Sequence, residues 1–331
     1  MDFAITFKGD ISPKRTVALV RQAEVAGFKY GWFFDSHVLW RECYVTMAMC
    51  MEHTQHMRFG PLVTNPGVRE WSVAASMFAT LAAQSGGRFD MGVGRGDSSR
   101  RVLGKRPLNI ETMVEFADVV RGLVRGDKVT YDEVETQLPW AEGFEMPVWI
   151  AAYGPKALKG AGEAGDGLVI QLGEPGLVRW FADQAISAGK AAGRDMGSFQ
   201  IMSAAPAWVG DRAKGRVQTR WFPAMVGNHV ADIVEKYGMD NPDIPASFTR
   251  YIEGRRGYDY KDHANKDADH LGFITDEVID GFSVLGSVEE HVEKLKALEA
   301  AGVTQFNIYL MCGEEERIVA EYAEHILPHF A

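Results

Sequence analysis

Short apolar runs, each followed by a longer amphipathic stretch, recur almost from end to end of this 331-residue chain, and that rhythm leaves few folds open. Residues 3–7 read as a strand, and 13–26 as a helix with Ser12 as its N-cap and Gly27 as its stop. The same alternation predicts strands at 30–34, 58–63, 89–93, 148–152, 167–171, 199–209 and 305–311. Helices fall at 44–53, 71–84, 112–124, 156–162, 177–189, 288–299 and 315–326, and a short extended excursion occupies 129–137. Eight strands, each followed by helical sequence, call for a parallel sheet with helical crossovers. A closed barrel and an open doubly wound sheet both satisfy that pattern, and eight repeats favour the (β/α)8 barrel. Residues 211–285 break the rhythm with a helix-like run at 221–237, then Pro, Gly, Asp and aromatic residues through 241–269. We read this as an insertion between strands seven and eight, lying either over the barrel mouth or away from it.

Composition narrows the function. A net charge of −10 argues against wholesale attraction to nucleic acid or an anionic membrane. Asp2, Lys8 and Asp10 interrupt any leader-like apolar start, and no apolar run approaches the length of a membrane span. Cys43, Cys50 and Cys312 are odd in number and lack metal-ligand spacing, which reads as buried free thiols in a reducing cytoplasm. His53 with His56, and His263 with His270, form no HExxH pattern, so no metal is expected. No GxSxG elbow marks a serine hydrolase, and a barrel hydrolase would need a metal or carboxylate pair that the sequence does not display. The expectation is a cytoplasmic protein acting on a small molecule.

Residues 58–99 carry the most specific signal. They contain Val63-Thr64-Asn65-Pro66, then Ser85-Gly86-Gly87-Arg88-Phe89, then Gly92-Val93-Gly94-Arg95-Gly96-Asp97. The last is not the GxGxxG of a dinucleotide-binding domain. Three motifs in this order resemble the flavin- and F420-dependent luciferase-like family. The resemblance implies one luciferase-type (β/α)8 TIM barrel over residues 1–331, with the active site at the C-terminal strand ends. It also implies a non-proline cis peptide at Leu62-Val63, forming a bulge behind a flavin-like ring. Thr64 and Asn65 would then offer polar groups to the ring edge, and Gly94 and Gly96 would let the backbone approach it. The plainer alternative is that Asn65-Pro66 merely makes a turn.

Two further clusters extend the resemblance. Asp35-Ser36-His37, with Trp40 close behind, stands where F420-dependent relatives carry Asp-His or a lone His followed by Trp. Asp35 is thereby a cofactor-site candidate, His37 a proton-handling group and Trp40 a pocket wall. An acidic residue near Asp97 is proposed in such relatives to assist proton transfer; here it could equally pair with Arg95, Arg100 or Arg101. Ala152-Tyr153-Gly154-Pro155-Lys156, with Gln171 and Gly173, matches the passage whose loops cradle the cofactor phosphate in the family. Arg100, Arg101, Lys105 and Arg106 read as a solvated basic loop or a second anion contact. The likeness leans towards the F420-dependent group that includes methylenetetrahydromethanopterin reductase. Thr6 replaces an acidic residue of that reductase, so its pterin substrate is not assumed. The resemblance thus implies an F420-dependent oxidoreductase, and by family habit a homodimer. The alternatives are an FMN-dependent luciferase-like monooxygenase and a non-catalytic flavin-binding protein.

Overall fold

The computed structural model describes residues 1–330. The chain opens with β1 (Asp2–Phe7) and α1 (Pro13–Ala26). Ser12 accepts a hydrogen bond from the Arg15 N–H, Pro13 opens the first turn, and Gly27 ends the helix at φ 99°. Thr16, Val17, Leu19, Val20 and Ala23 form its buried stripe. There follow β2 (Tyr30–Phe33), α2 (Cys43–Glu52), β3 (Arg58–Pro61), α3 (Trp71–Ser85), β4 (Met91–Val93), the single turn α4 (Ser98–Arg101) and α5 (Ile110–Arg125). The excursion is an antiparallel hairpin of β5 (Val129–Tyr131) and β6 (Val134–Thr136), turning through Asp132 and Glu133 at positive φ. Then come β7 (Val148–Ala151), α6 (Pro155–Ala164), β8 (Gly167–Ile170), α7 (Pro175–Ala191) and β9 (Gln200–Ala205).

Eight parallel strands stand in the order β3-β2-β1-β12-β9-β8-β7-β4, where β12 is Gln305–Tyr309. Parallel bridges Phe59↔Phe89 and Thr64↔Val93 join the two ends of that row and close the barrel. The (β/α)8 architecture is therefore present. Inside it Trp32 Nε1 donates to Gln305 Oε1 at 2.9 Å, and Thr6 Oγ1 donates to Asn307 Oδ1 at 2.9 Å. Thr6 is thus a barrel-interior residue with its hydroxyl proton already placed.

One strand expectation is corrected. Residues 199–209 do not form a single strand: β9 stops at Ala205, and β10 (Ala207–Val209) leaves the barrel to pair with β11 (Val284–Gly286). Pro206 has no N–H for the barrel ladder, while its carbonyl accepts from the Val284 N–H at 3.0 Å. Between β10 and β11 run α8 (Arg212–Thr219), α9 (Trp221–Tyr237), α10 (Ala246–Thr249), short 3-10 turns and α11 (Asp276–Phe282). Beyond β11 come α12 (Val288–Ala300), β12 and α13 (Glu315–Glu321). Ser287 and Glu290 form a reciprocal capping box at the start of α12.

All three cysteines are buried and unpaired. Among the described residues no cluster of His, Cys, Asp or Glu has metal-binding geometry, and no helix is long and apolar enough to cross a membrane.

Candidate functional site

The C-terminal ends of the barrel strands and the inner face of the insertion line a cavity of about 180 Å³, open to solvent on one side. This is the end of a barrel where strand-following loops can converge. Asp35, just beyond β2, is buried in its wall. One oxygen of Asp35 receives three donors: Arg69 at 2.7 Å, Thr64 Oγ1 at 2.8 Å and Tyr44 OH at 3.1 Å. The Arg69 guanidinium also pairs with Glu42 at 3.0 Å and lies 4.7 Å from the centre of the Tyr44 ring. These donors offset the cost of burying the carboxylate.

The peptide Leu62-Val63 is cis, at the position the resemblance specified. Both residues line the cavity, and β4 presses against them from behind. A Cβ on Gly92 would fall 2.2 Å from the Pro61 carbonyl oxygen, and one on Gly94 would fall 2.8 Å from Val63 Cγ2. These glycines therefore first allow β4 to approach the end of β3; only Gly94 of the two also reaches the cavity. Gly96 serves a different need, since its φ of 84° is left-handed backbone.

The structure brings together much of the expected set. Asp35, Leu62, Val63, Gly94, Gly96 and Asp97 line one part of the cavity, and Ala152, Tyr153, Gly154, Lys156 and Gln171 another. Tyr153 OH donates to Gln171 Oε1 at 3.0 Å, while Gln171 Nε2 donates to Tyr309 OH at 2.6 Å, so the amide is held at both ends. Gly154 is the N-cap of α6, which sets Lys156 in the first turn.

Six expected residues stand elsewhere. His37 is exposed and absent from the cavity wall, because the chain turns outward through residues 36–40 after β2. Trp40 packs behind the wall on Phe34 and His263, with ring centres 5.3 and 5.8 Å away. Thr64 and Asn65 lie behind the bulge with their polar atoms occupied, Thr64 on Asp35 and Asn65 on Ser99 and the Gly67 N–H. Pro155 faces an outer groove instead. Gly173 donates its N–H to the Phe282 carbonyl, where a Cβ would sit 2.6 Å from that oxygen.

The insertion supplies residues that the sequence motifs did not indicate. Met225, His229, Asp232, Ile233, Lys236 and Tyr237 reach the cavity from one face of α9, and His263 reaches it from the following loop. The spacing of three and four along α9 was the available signal, mixing polar groups into an otherwise apolar face. His229 stacks on Tyr153 at 4.8 Å and 17°. Asp97 accepts from Arg101 at 2.7 Å and from Tyr260 OH at 3.0 Å, and Arg101 reaches on to Asp232 at 2.5 Å. The loop after β4 is thus tied to the insertion, and the insertion sits over the mouth. Burial and the neighbouring Asp97 push the Tyr260 phenol up, keeping it a neutral donor. Burial pushes His263 down to about 4, against a partial pull upward from Asp97.

The donor set suits a planar ring with an anionic tail. Leu62, Val63, Ala151, Ala152 and Tyr153 give a smooth wall, and the exposed cations Arg95, Lys156 and Lys236 mark the rim. Arg100 and Arg106 take no part: Arg100 donates to the carbonyls of Arg106 and Gly67.

Known proteins resemble this chain over most of its length. The profile of the luciferase-like monooxygenase family matches residues 1–305. The chain is 31% identical over 316 residues to a 5,10-methylenetetrahydromethanopterin reductase of Archaeoglobus fulgidus, covering 92% of each chain. It is 28% identical over 226 residues to an F420-dependent hydroxymycolic acid dehydrogenase of Mycobacterium tuberculosis, 62% of each. The structure of a coenzyme F420 dependent tetrahydromethanopterin reductase from Methanopyrus kandleri superposes with a TM-score of 0.80 at 23% identity, covering 100% of this chain and 99% of that one.

Proposed function

The chain belongs to the luciferase-like monooxygenase family, and on that premise we propose that it is an F420-dependent oxidoreductase, moving a hydride between the deazaflavin C5 and a carbonyl, alcohol, imine or activated alkene. The observation that carries the choice of cofactor is likeness to F420-dependent dehydrogenases and, over 92% of the chain, to a methylenetetrahydromethanopterin reductase. When bound, F420 supplies the hydride chemistry; the protein supplies position and electrostatics.

The Leu62-Val63 bulge and Gly94 back the ring, while Ala152, Tyr153 and Gly154 with Lys156 receive the phosphate-bearing tail. Asp35 lies at the ring site, paired with Arg69. Asp97, tethered by Arg101 and Tyr260, is the carboxylate of the reaction space. The insertion covers part of that space and selects the substrate, so residues 1–331 act as one unit. The full-length likeness to methylenetetrahydromethanopterin reductase favours that reduction as the first substrate to try, ahead of secondary alcohols.

The test is fluorescence titration of the purified protein with F420 and separately with FMN. Binding of F420 and not FMN supports the proposal. The reverse moves the protein to oxygen-dependent FMN chemistry, and binding of neither overturns the cofactor assignment.

A further inference from the structure

His263 lies on the insertion, lines the cavity, and is enclosed by aromatic rings. Tyr260 stacks against it at 5.9 Å and 19°, and Trp40 lies 5.8 Å away at 41°. Its Nδ1 is 2.9 Å from the Tyr258 hydroxyl. The Ala264 N–H donates to that same hydroxyl oxygen at 3.4 Å, and among the described residues Nδ1 is the acceptor that the hydroxyl proton meets, so that proton is directed at Nδ1. This order of donors sets the imidazole as the Nε2–H tautomer. Among the described residues Nε2 has no hydrogen-bond partner, which leaves one donor unspent on a residue that lines the cavity.

We propose that His263 is a catalytic residue of this enzyme, its Nε2–H donating a hydrogen bond to the substrate oxygen or nitrogen that gains negative charge as hydride reaches the adjoining carbon. The proposal rests on the F420 reading above. In the reducing direction, the hydride pair forms the new C–H bond and the π pair of the C=O or C=N bond moves onto the heteroatom. Solvent water provides the proton that the heteroatom takes up. His263 keeps its own proton and acts through the hydrogen bond alone. The reverse reaction runs through the same contact, with the heteroatom's proton passing to solvent.

The surroundings suit a neutral donor. Burial pushes the imidazole down to about 4, and His229 on α9, His270 in the neighbouring turn and Lys8 at the end of β1 push the same way. Asp97 opposes them. The imidazole is therefore uncharged from about pH 5 upward, and its donor is fixed in place before substrate arrives. A preorganised donor aimed at developing charge typically contributes roughly 100- to 1000-fold in kcat.

Nitrogen-15 NMR of histidine-labelled protein tests the tautomer without any turnover. The proposal requires an unprotonated Nδ1, a protonated Nε2, a midpoint far below 6.5, and movement of the Nε2–H signal when F420 is added. An Nδ1–H tautomer or a midpoint near 6.5 overturns it. Turnover is then compared for His263→Phe, which keeps the aromatic wall, and His263→Gln, which keeps an N–H donor. 2-Propanol in the oxidising direction and acetone in the reducing direction serve as probes. We expect kcat to fall roughly 100-fold or more in the Phe variant and less than about tenfold in the Gln variant, with F420 affinity unchanged in both. A Phe variant with undiminished kcat overturns the proposal, whereas failure of the unaltered protein to bind F420 overturns the cofactor reading instead. If neither probe reacts, the NMR result decides alone.

Discussion

His291 makes the stability of this fold fall on the acid side, by an amount that follows from its surroundings. The side chain is fully buried, with Nε2 3.0 Å from the Trp208 carbonyl and Nδ1 3.0 Å from Tyr322 OH. A carbonyl only accepts, so Nε2 carries the proton and Nδ1 takes one from Tyr322. A second proton on Nδ1 would set two donors against each other in a dry site. Burial accordingly pushes this histidine down from 6.5 to about 4. The unfolded chain then binds a proton that the folded chain refuses between those two values, so stability drops as pH falls through that window. From 6.5 to about 4, at about 1.36 kcal/mol per pH unit, the full loss is about 3 kcal/mol, of which about 2 kcal/mol accrues between pH 7 and pH 5. The assay is urea unfolding at both pH values for the unaltered protein and for His291→Gln, whose amide can still donate to Trp208 but does not titrate. His263 contributes its own acid loss equally to both proteins. The unaltered protein should therefore lose about 2 kcal/mol more than the variant. Equal losses would refute the reasoning, whatever the variant's stability at pH 7.

Three further outcomes follow from the site. Arg69→Met leaves Asp35 buried without its cation, and thermal or urea unfolding should show a loss of about 3–5 kcal/mol, with F420 binding weakened as well. Gly92→Ala drives a methyl group into the Pro61 carbonyl and should cost about 1–3 kcal/mol by the same measurement, whereas Gly281→Ala, with no atom near its added Cβ and no left-handed backbone, should be close to neutral. Lys156→Gln should weaken F420 binding roughly fivefold and flatten its dependence on salt, read by repeating the titration at two ionic strengths.

Much of the framework was legible because its causes are local. Ser12, Pro13 and Gly27 sit within a few residues of the helix ends they define, and the run at 221–237 became α9 with the same limits. The rhythm of apolar runs specified eight parallel strands, since both faces of such strands are buried and the signal needs only a handful of neighbouring residues. Resemblance in the Val63-Thr64-Asn65-Pro66 passage placed the cis peptide. What tertiary structure alone decided concerns direction and distance. Whether His37 faces the cavity or solvent depends on how the chain leaves β2, which no nearby residue pattern encodes. Thr64 is turned to the buried side by Asp35, and Gly92 and Gly94 are required by β3 lying against β4. The pairing of Asp97 with Tyr260 joins residues 163 positions apart. Such a contact exists only after the barrel has closed and the insertion has folded back over it. Sequence periodicity reports burial along one element; which side chains then meet across a cavity is settled by the packing of all of them together.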